Sequence, residues 1–176
     1  MQPLMVTLVF SLWLGACSPS GGPPASPEAP VAVPAPVAPA PPAQAALPGP
    51  EIVMASSDPA TVQAQVVAAL GAAARDSRQL VVYVGATWCE PCRRFHDAIE
   101  AGRLDARLAG VRFLEFDHDV HHDGLQAAGY LQRFVPLFAI PEADGSASAR
   151  LHQGAVKGPG AVDFILPHLE ALLRAP

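Results

Sequence analysis

Five apolar residues in a row, Leu80–Val84, lead through a short turn into Trp88-Cys89-Glu90-Pro91-Cys92. This stretch constrains the fold more than any other. A continuous apolar run rich in β-branched residues reads as a strand buried on both faces. Such a strand needs helices above and below it, which calls for an α/β architecture rather than a sandwich or a bundle. After Cys89 the pattern changes to helical spacing. Pro91 suits a first helical turn, where its missing N–H costs nothing.

The remaining segments extend this plan. Asp58 reads as an N-cap with Pro59 at the first helical position, and Val62, Val66, Val67 and Leu70 follow at helical spacing within Ala60–Ala74. A helix is expected from about Pro91 to Leu108, broken near Gly102, then a strand over Val111–Phe116. A polar loop, Asp117–Asp123, precedes a short helix ending near Tyr130. Leu137–Ile140 and Ala149–Gln153 read as a hairpin around Asp144-Gly145, and Val162–Leu173 as a closing helix. The expected order is α-β-α-β-α-β-β-α, a mixed central sheet flanked by helices on both faces.

Composition divides the chain. Twelve of its 20 prolines fall between Ser18 and Pro50, a Pro/Ala-rich stretch with a single charge, Glu28. Such a segment cannot offset its ordering entropy by burying apolar side chains. In extended polyproline form its 33 residues reach about 100 Å. Residues 51–176 are long enough for a folded domain. The net charge of −5 carries no basic run, which argues against a nucleic-acid partner.

At the N-terminus Leu4–Ala16 is apolar but short of the roughly 20 residues of a membrane span, and fits the apolar core of a secretory signal. Leu14-Gly15-Ala16-Cys17 resembles a bacterial lipobox, although Met1-Gln2-Pro3 supplies no Lys or Arg. The resemblance implies removal of residues 1–16 and a diacylglyceryl thioether on Cys17. Two acyl chains anchor far more firmly than one. Residues 17–50 then read as lipidated cysteine plus tether. The expected address is the bacterial cell envelope, facing the periplasm. Ser18, in place of an inner-membrane-retaining Asp, points toward the outer membrane.

Cys89 and Cys92 carry the chemistry. Zinc would ask for a second cysteine pair, which the chain lacks, and haem attachment would ask for His where Arg93 stands. A dithiol/disulfide pair remains. A thiol at a helix N-terminus has its pKa lowered by free N–H groups and the helix dipole. One turn on, Cys92 can meet it. Cys89 is expected to be the exposed attacking thiol and Cys92 the buried resolving one. Exchange of this kind uses no bound cofactor.

Ala86-Thr87-Trp88-Cys89-Glu90-Pro91-Cys92 resembles the thioredoxin active-site motif. The likeness extends over Ala55–Leu173 and includes Phe95, Asp117, Val135-Pro136 and Gly154. It implies a thioredoxin fold, a cis peptide before Pro136 beside the sulfurs, and pairing of the Val135 backbone with a substrate peptide. It also makes Trp88, Glu90 and Pro91 supporting residues of the site. Three positions depart from the family, the first being Glu90, which stands where thioredoxin has Gly. Tyr83 stands where thioredoxins bury an acid, and Phe113 where they place its Lys partner. Proton transfer for Cys92 must then fall to Glu115, Glu90, His96 or water. Glu90 should raise the Cys89 pKa, and Arg93 and Arg94 should lower it.

The expected activity is that of a membrane-tethered thiol–disulfide oxidoreductase acting on protein thiols and disulfides, with both directions open to it and reduction favoured over oxidation. It would draw on an unidentified membrane or periplasmic electron donor. Tethered thioredoxin-like reductases serving cytochrome c maturation share this plan, but their usual central insertion is not evident here. The alternative is a metal-handling module for Cu or Zn, using the Cys pair and the His118–His122 loop, since imidazole and carboxylate suit these ions. Against it, seven successive loop residues rarely converge on one ion, and the loop reads first as a solvated segment steadying Trp88. His96 reads first as a half-buried structural histidine.

Overall fold

The computed structural model describes residues 47–57 and 61–174. In chain order the elements are β1 (Glu51–Met54), α1 (Val62–Arg75), β2 (Gln79–Gly85), α2 (Glu90–Glu100), β3 (Val111–Asp117), α3 (His122–Ala127), β4 (Leu137–Pro141), β5 (Ala147–Gln153) and α4 (Ala161–Arg174). The five strands form one sheet in the order β1-β3-β2-β4-β5. β1 and β2 run parallel to β3, while β4 is antiparallel to both β2 and β5. The architecture is α/β, with a mixed sheet and four helices among the described residues.

The strands sort their side chains by the period of two that a pleated backbone imposes. Val81, Tyr83, Val111, Phe113 and Phe138 point to one face, where α2 and α4 bring Phe95, Ala98, Ile165 and Leu169. Leu80, Val82, Val84, Leu114 and Phe116 point to the other, where α1 and α3 bring Val62, Val66 and Leu125. Helices therefore cover both faces. The solid apolar run of β2 is explained by this double covering, since all six residues from Leu80 to Gly85 are buried.

Three expectations need correction. First, the strand β1 was not foreseen. It is a four-residue edge strand, EIVM, whose residues are all half-buried or exposed, so no periodic signal marks it. Its register on β3 and the ion pairs of Glu51 with Arg78 and Arg112 place it. Second, α1 is capped by Thr61, whose side chain accepts from Ala64 N–H at 3.2 Å, rather than by Asp58. Asp58 and Pro59 lie outside the described residues. Third, α2 ends at Glu100, and turns continue from there to Gly110.

The segment preceding β1 makes specific contacts with the sheet. Pro48 O accepts from Gly110 N–H at 2.8 Å, and Gly49 O accepts from the Arg78 guanidinium at 2.9 Å. Residues 1–46, with the signal segment, Cys17 and most of the tether, lie outside the described residues. Among the described residues no helix is long and apolar enough to cross a membrane.

Candidate functional site

Strand directions bring the site together at one edge of the sheet. β2 and β3 are parallel neighbours, so the turn after Gly85 and the loop after Asp117 leave the sheet side by side. Antiparallel pairing sets Leu137, the start of β4, opposite Val84 and also opposite Gln153, the end of β5. Trp88–Cys92, Asp117–His122, Val135–Pro136 and Gln153–Gly154 thus meet at the carboxyl end of the parallel strands, where α/β proteins place their sites.

Cys89 is the N-cap of α2. Its Sγ accepts from Cys92 N–H at 3.2 Å, and its own N–H donates to Ala86 O at 3.0 Å. A disulfide joins Cys89 to Cys92. The expected contrast in exposure is not found, since in this oxidised pair both residues are 3% exposed. Neighbours cover Cys89 as fully as α2 covers Cys92. The two differ instead in what they face. Cys89 borders a surface groove of about 450 Å³ with Trp88, Pro91, Phe134 and Val135. Cys92 borders a separate cavity of about 270 Å³ with His96 and Glu115.

The Val135–Pro136 peptide is cis, as the resemblance implies. Pro136 O accepts from Gly154 N–H at 2.7 Å, and Phe134 N–H donates to Gln153 Oε1 at 3.2 Å, which ties the proline loop to the end of β5. Gly154 holds φ +80°, a left-handed conformation that a side chain would disfavour. The N–H and C=O of Val135 have no backbone partner among the described residues.

Trp88 is 61% exposed beside the disulfide, yet held. Its indole N–H donates to Asp119 Oδ2 at 2.8 Å, and His118 Nδ1 lies 2.9 Å from Asp119 Oδ1. His118, and secondly the indole, hold the Asp119 carboxyl below the usual range. The loop therefore steadies Trp88. Its other side chains engage close at hand, His122 with Asp123 and His121 with the carbonyls of Asp117 and Ser56. Among the described residues no group of three or more His, Cys, Asp or Glu is arranged to hold a metal ion.

Glu90 pairs with Arg94 and accepts from Gly158 N–H at 3.0 Å. Those contacts, Arg94 first, hold its carboxyl below the usual range. Arg94 is thereby committed to Glu90, and Arg93 donates to Thr87 O at 3.3 Å. Of these three residues only Arg93 borders the Cys92 cavity.

Cross-strand register places Glu115 directly beside Tyr83. Glu115 is a buried carboxylate, 7% exposed, and such a group is costly without a partner. Its partner is His96, whose Nε2 lies 2.9 Å from Oε2, an ion pair whose angle falls outside hydrogen-bond geometry. The Tyr83 hydroxyl is buried with no hydrogen-bond partner. Burial, and secondly the Glu115 charge, push its pKa up. Gly85 is needed here, because a Cβ would sit 2.7 Å from Glu115 Oε1 and 3.2 Å from the Tyr83 hydroxyl. Of the candidates for proton transfer at Cys92, Glu115 and His96 border its cavity, which has room for water. The Tyr83–Glu115 contact was missed because pairing of distant strands leaves no local signal.

The Glu115 carboxylate raises the His96 pKa above its ordinary 6.5, with burial opposing. The resulting stabilisation is fully present below the unfolded value and is lost as pH rises through the folded one. We expect urea unfolding to show wild type losing stability relative to His96→Gln as pH rises above the ordinary histidine value of about 6.5. A difference that does not change with pH contradicts the ion pair.

Compared with protein-family models and with curated proteins, the chain matches none.

Proposed function

We propose that the chain is a membrane-tethered thiol–disulfide oxidoreductase with a thioredoxin-like fold, working as a reductase of protein disulfides. The observation that carries this reading is the Cys89–Cys92 disulfide at the N-terminus of α2, in the same edge cluster as the cis Val135–Pro136 peptide. Sheet order and helices on both faces are compatible with that fold.

In the reduced protein the Cys89 thiolate attacks one sulfur of a substrate disulfide. A Cys89–substrate bond forms, the substrate S–S bond breaks, and the leaving sulfur takes a proton. Cys92, once deprotonated, attacks Cys89 Sγ, closes the intramolecular disulfide and releases the second substrate thiol. The substrate gains two electrons and the cysteine pair loses two. A membrane or periplasmic dithiol donor restores the pair. The unpaired Val135 backbone is suited to bind the substrate as an added strand. Glu115 accepts the Cys92 proton, directly or through water in the shared cavity, and His96 beside it supports the carboxylate. Cys17, through its lipid, holds the domain at the membrane.

The full chain should accelerate the reduction of a peptide disulfide by dithiothreitol. A rate no higher than that of dithiothreitol alone defeats the reading. Glu115→Gln should lengthen the lifetime of the mixed disulfide on Cys89 by about a hundred-fold and move the pH midpoint of its resolution. An unaltered lifetime and midpoint exclude Glu115 as proton acceptor. His96→Gln, which leaves the carboxylate in place, separates the two groups.

A further inference from the structure

The groove bordered by Cys89 gathers exposed apolar side chains. Of the nine large hydrophobic residues that are exposed in the described chain, Trp88, Phe134, Val156 and Phe164 line it. Concentrated exposure of this kind marks an interaction surface, whereas scattered exposure does not.

Its charge is opposite to that of the protein. Lys157, the only lysine of a chain with net charge −5, lines the groove. Arg133 lays its guanidinium over the Phe134 ring, 5.2 Å from the centroid. Neither cation has a carboxylate partner among the described residues. The one acid lining the groove, Glu90, is neutralised by Arg94 and held by Gly158 N–H. Two carboxylates adjoin lining residues without lining the groove themselves, Asp119 on the Trp88 indole N–H and Asp163 next to Phe164 in sequence, whereas Lys157 lines it and Arg133 covers the Phe134 ring.

We propose that this groove selects extended polypeptide segments whose reacting cysteine is flanked by an apolar side chain and an acidic one. The inference rests on the oxidoreductase reading and names its substrate class. The apolar flank covers the Phe134 and Phe164 rings, and the acidic flank meets Lys157 and Arg133. The exchange step is the one written above, with the Cys89 thiolate forming the mixed disulfide and Cys92 releasing the reduced peptide.

The test uses the full chain, reduced beforehand with dithiothreitol and then freed of it. It is mixed with two peptides, each a mixed disulfide with the same chromogenic aryl thiol. They differ only in Asp or Lys beside the cysteine and share a neighbouring Phe. Rates are divided by those for free dithiothreitol, which removes the intrinsic effect of a charged flank on thiol reactivity. The acidic peptide should react about three- to ten-fold faster at low salt, with the preference vanishing near 1 M salt. K157Q should reduce the ratio, and K157E combined with R133E should invert it. Replacing the Phe by Ser should slow the acidic peptide.

A normalised ratio near one overturns the inference, as does a ratio that the charge substitutions leave unaltered. So does sedimentation of the oxidised chain as a dimer that K157E dissociates, because a second copy would then be the occupant. Exchange with the small uncharged hydroxyethyl disulfide separates the levels. If wild type fails there too, the oxidoreductase reading falls. If it succeeds without discriminating the peptides, only the substrate class falls.

Discussion

Cys89→Ser should lower the rate of disulfide exchange by at least about a thousand-fold, and Cys92→Ser should instead leave covalent intermediates in place. The two cysteines are equally buried, so exposure alone would not assign their roles. What separates them is position. Cys89 caps α2 and faces the open groove, whereas Cys92 sits one turn inside the helix against the Glu115 cavity. Loss of the attacking sulfur removes the covalent route altogether, and an effect of this size is ordinary when a nucleophile is deleted. Loss of the resolving sulfur leaves the first step intact, so substrates accumulate as mixed disulfides that reductant releases. Non-reducing gels and intact mass measure both outcomes. Trapping on Cys89→Ser rather than on Cys92→Ser would reverse the assignment.

Phe95→Ala should cost about 3–5 kcal/mol, the usual range for emptying a buried aromatic site. Phe95 is fully buried on the face of α2 that covers the sheet. Its ring lies 5.8, 5.4 and 5.0 Å from those of Tyr83, Phe113 and Phe138. Deleting it leaves a cavity between helix and sheet, three residues beyond Cys92. For a domain of this size the melting temperature should fall by roughly 10–20 °C. Phe95→Leu retains most of the volume and should cost under about 1.5 kcal/mol. A loss below about 1 kcal/mol for the alanine variant would show that α2 does not depend on this cluster. Tyr83 also has a role here, because its ring stacks on Phe138 at 5.0 Å while its hydroxyl lies buried near Glu115.

The inner strands were legible because both their faces are covered. Leu80–Val84 is apolar without interruption, Val111–Phe116 is apolar except for Arg112 and Glu115, and the structure extends each by only one or two residues. The β4–β5 hairpin was marked by Asp144-Gly145, where Gly145 takes a positive φ. The edge strand β1 was not legible, since four half-exposed residues acquire strand geometry only from their partner β3. At the site, the Cys pair and Pro136 stand out as residue types. The contacts that tune them do not. Asp119 reaches Trp88 across 31 positions of sequence, and Glu115 meets Tyr83 through strand register. The expectation that Cys89 would be exposed came from its place at a helix end and could not include Val135, which packs against the same buried cluster from a different part of the chain.

The reduction potential of the Cys89–Cys92 pair decides whether the protein reduces disulfides or donates them. Equilibrating the full chain across a series of thiol buffers, followed by alkylation of free thiols, gives the value. A single two-electron transition is expected near or below about −250 mV, in the range of thioredoxin. A value near about −120 mV would make the protein a disulfide donor and contradict the reductase assignment. A pair that does not titrate at all would contradict the oxidoreductase reading itself.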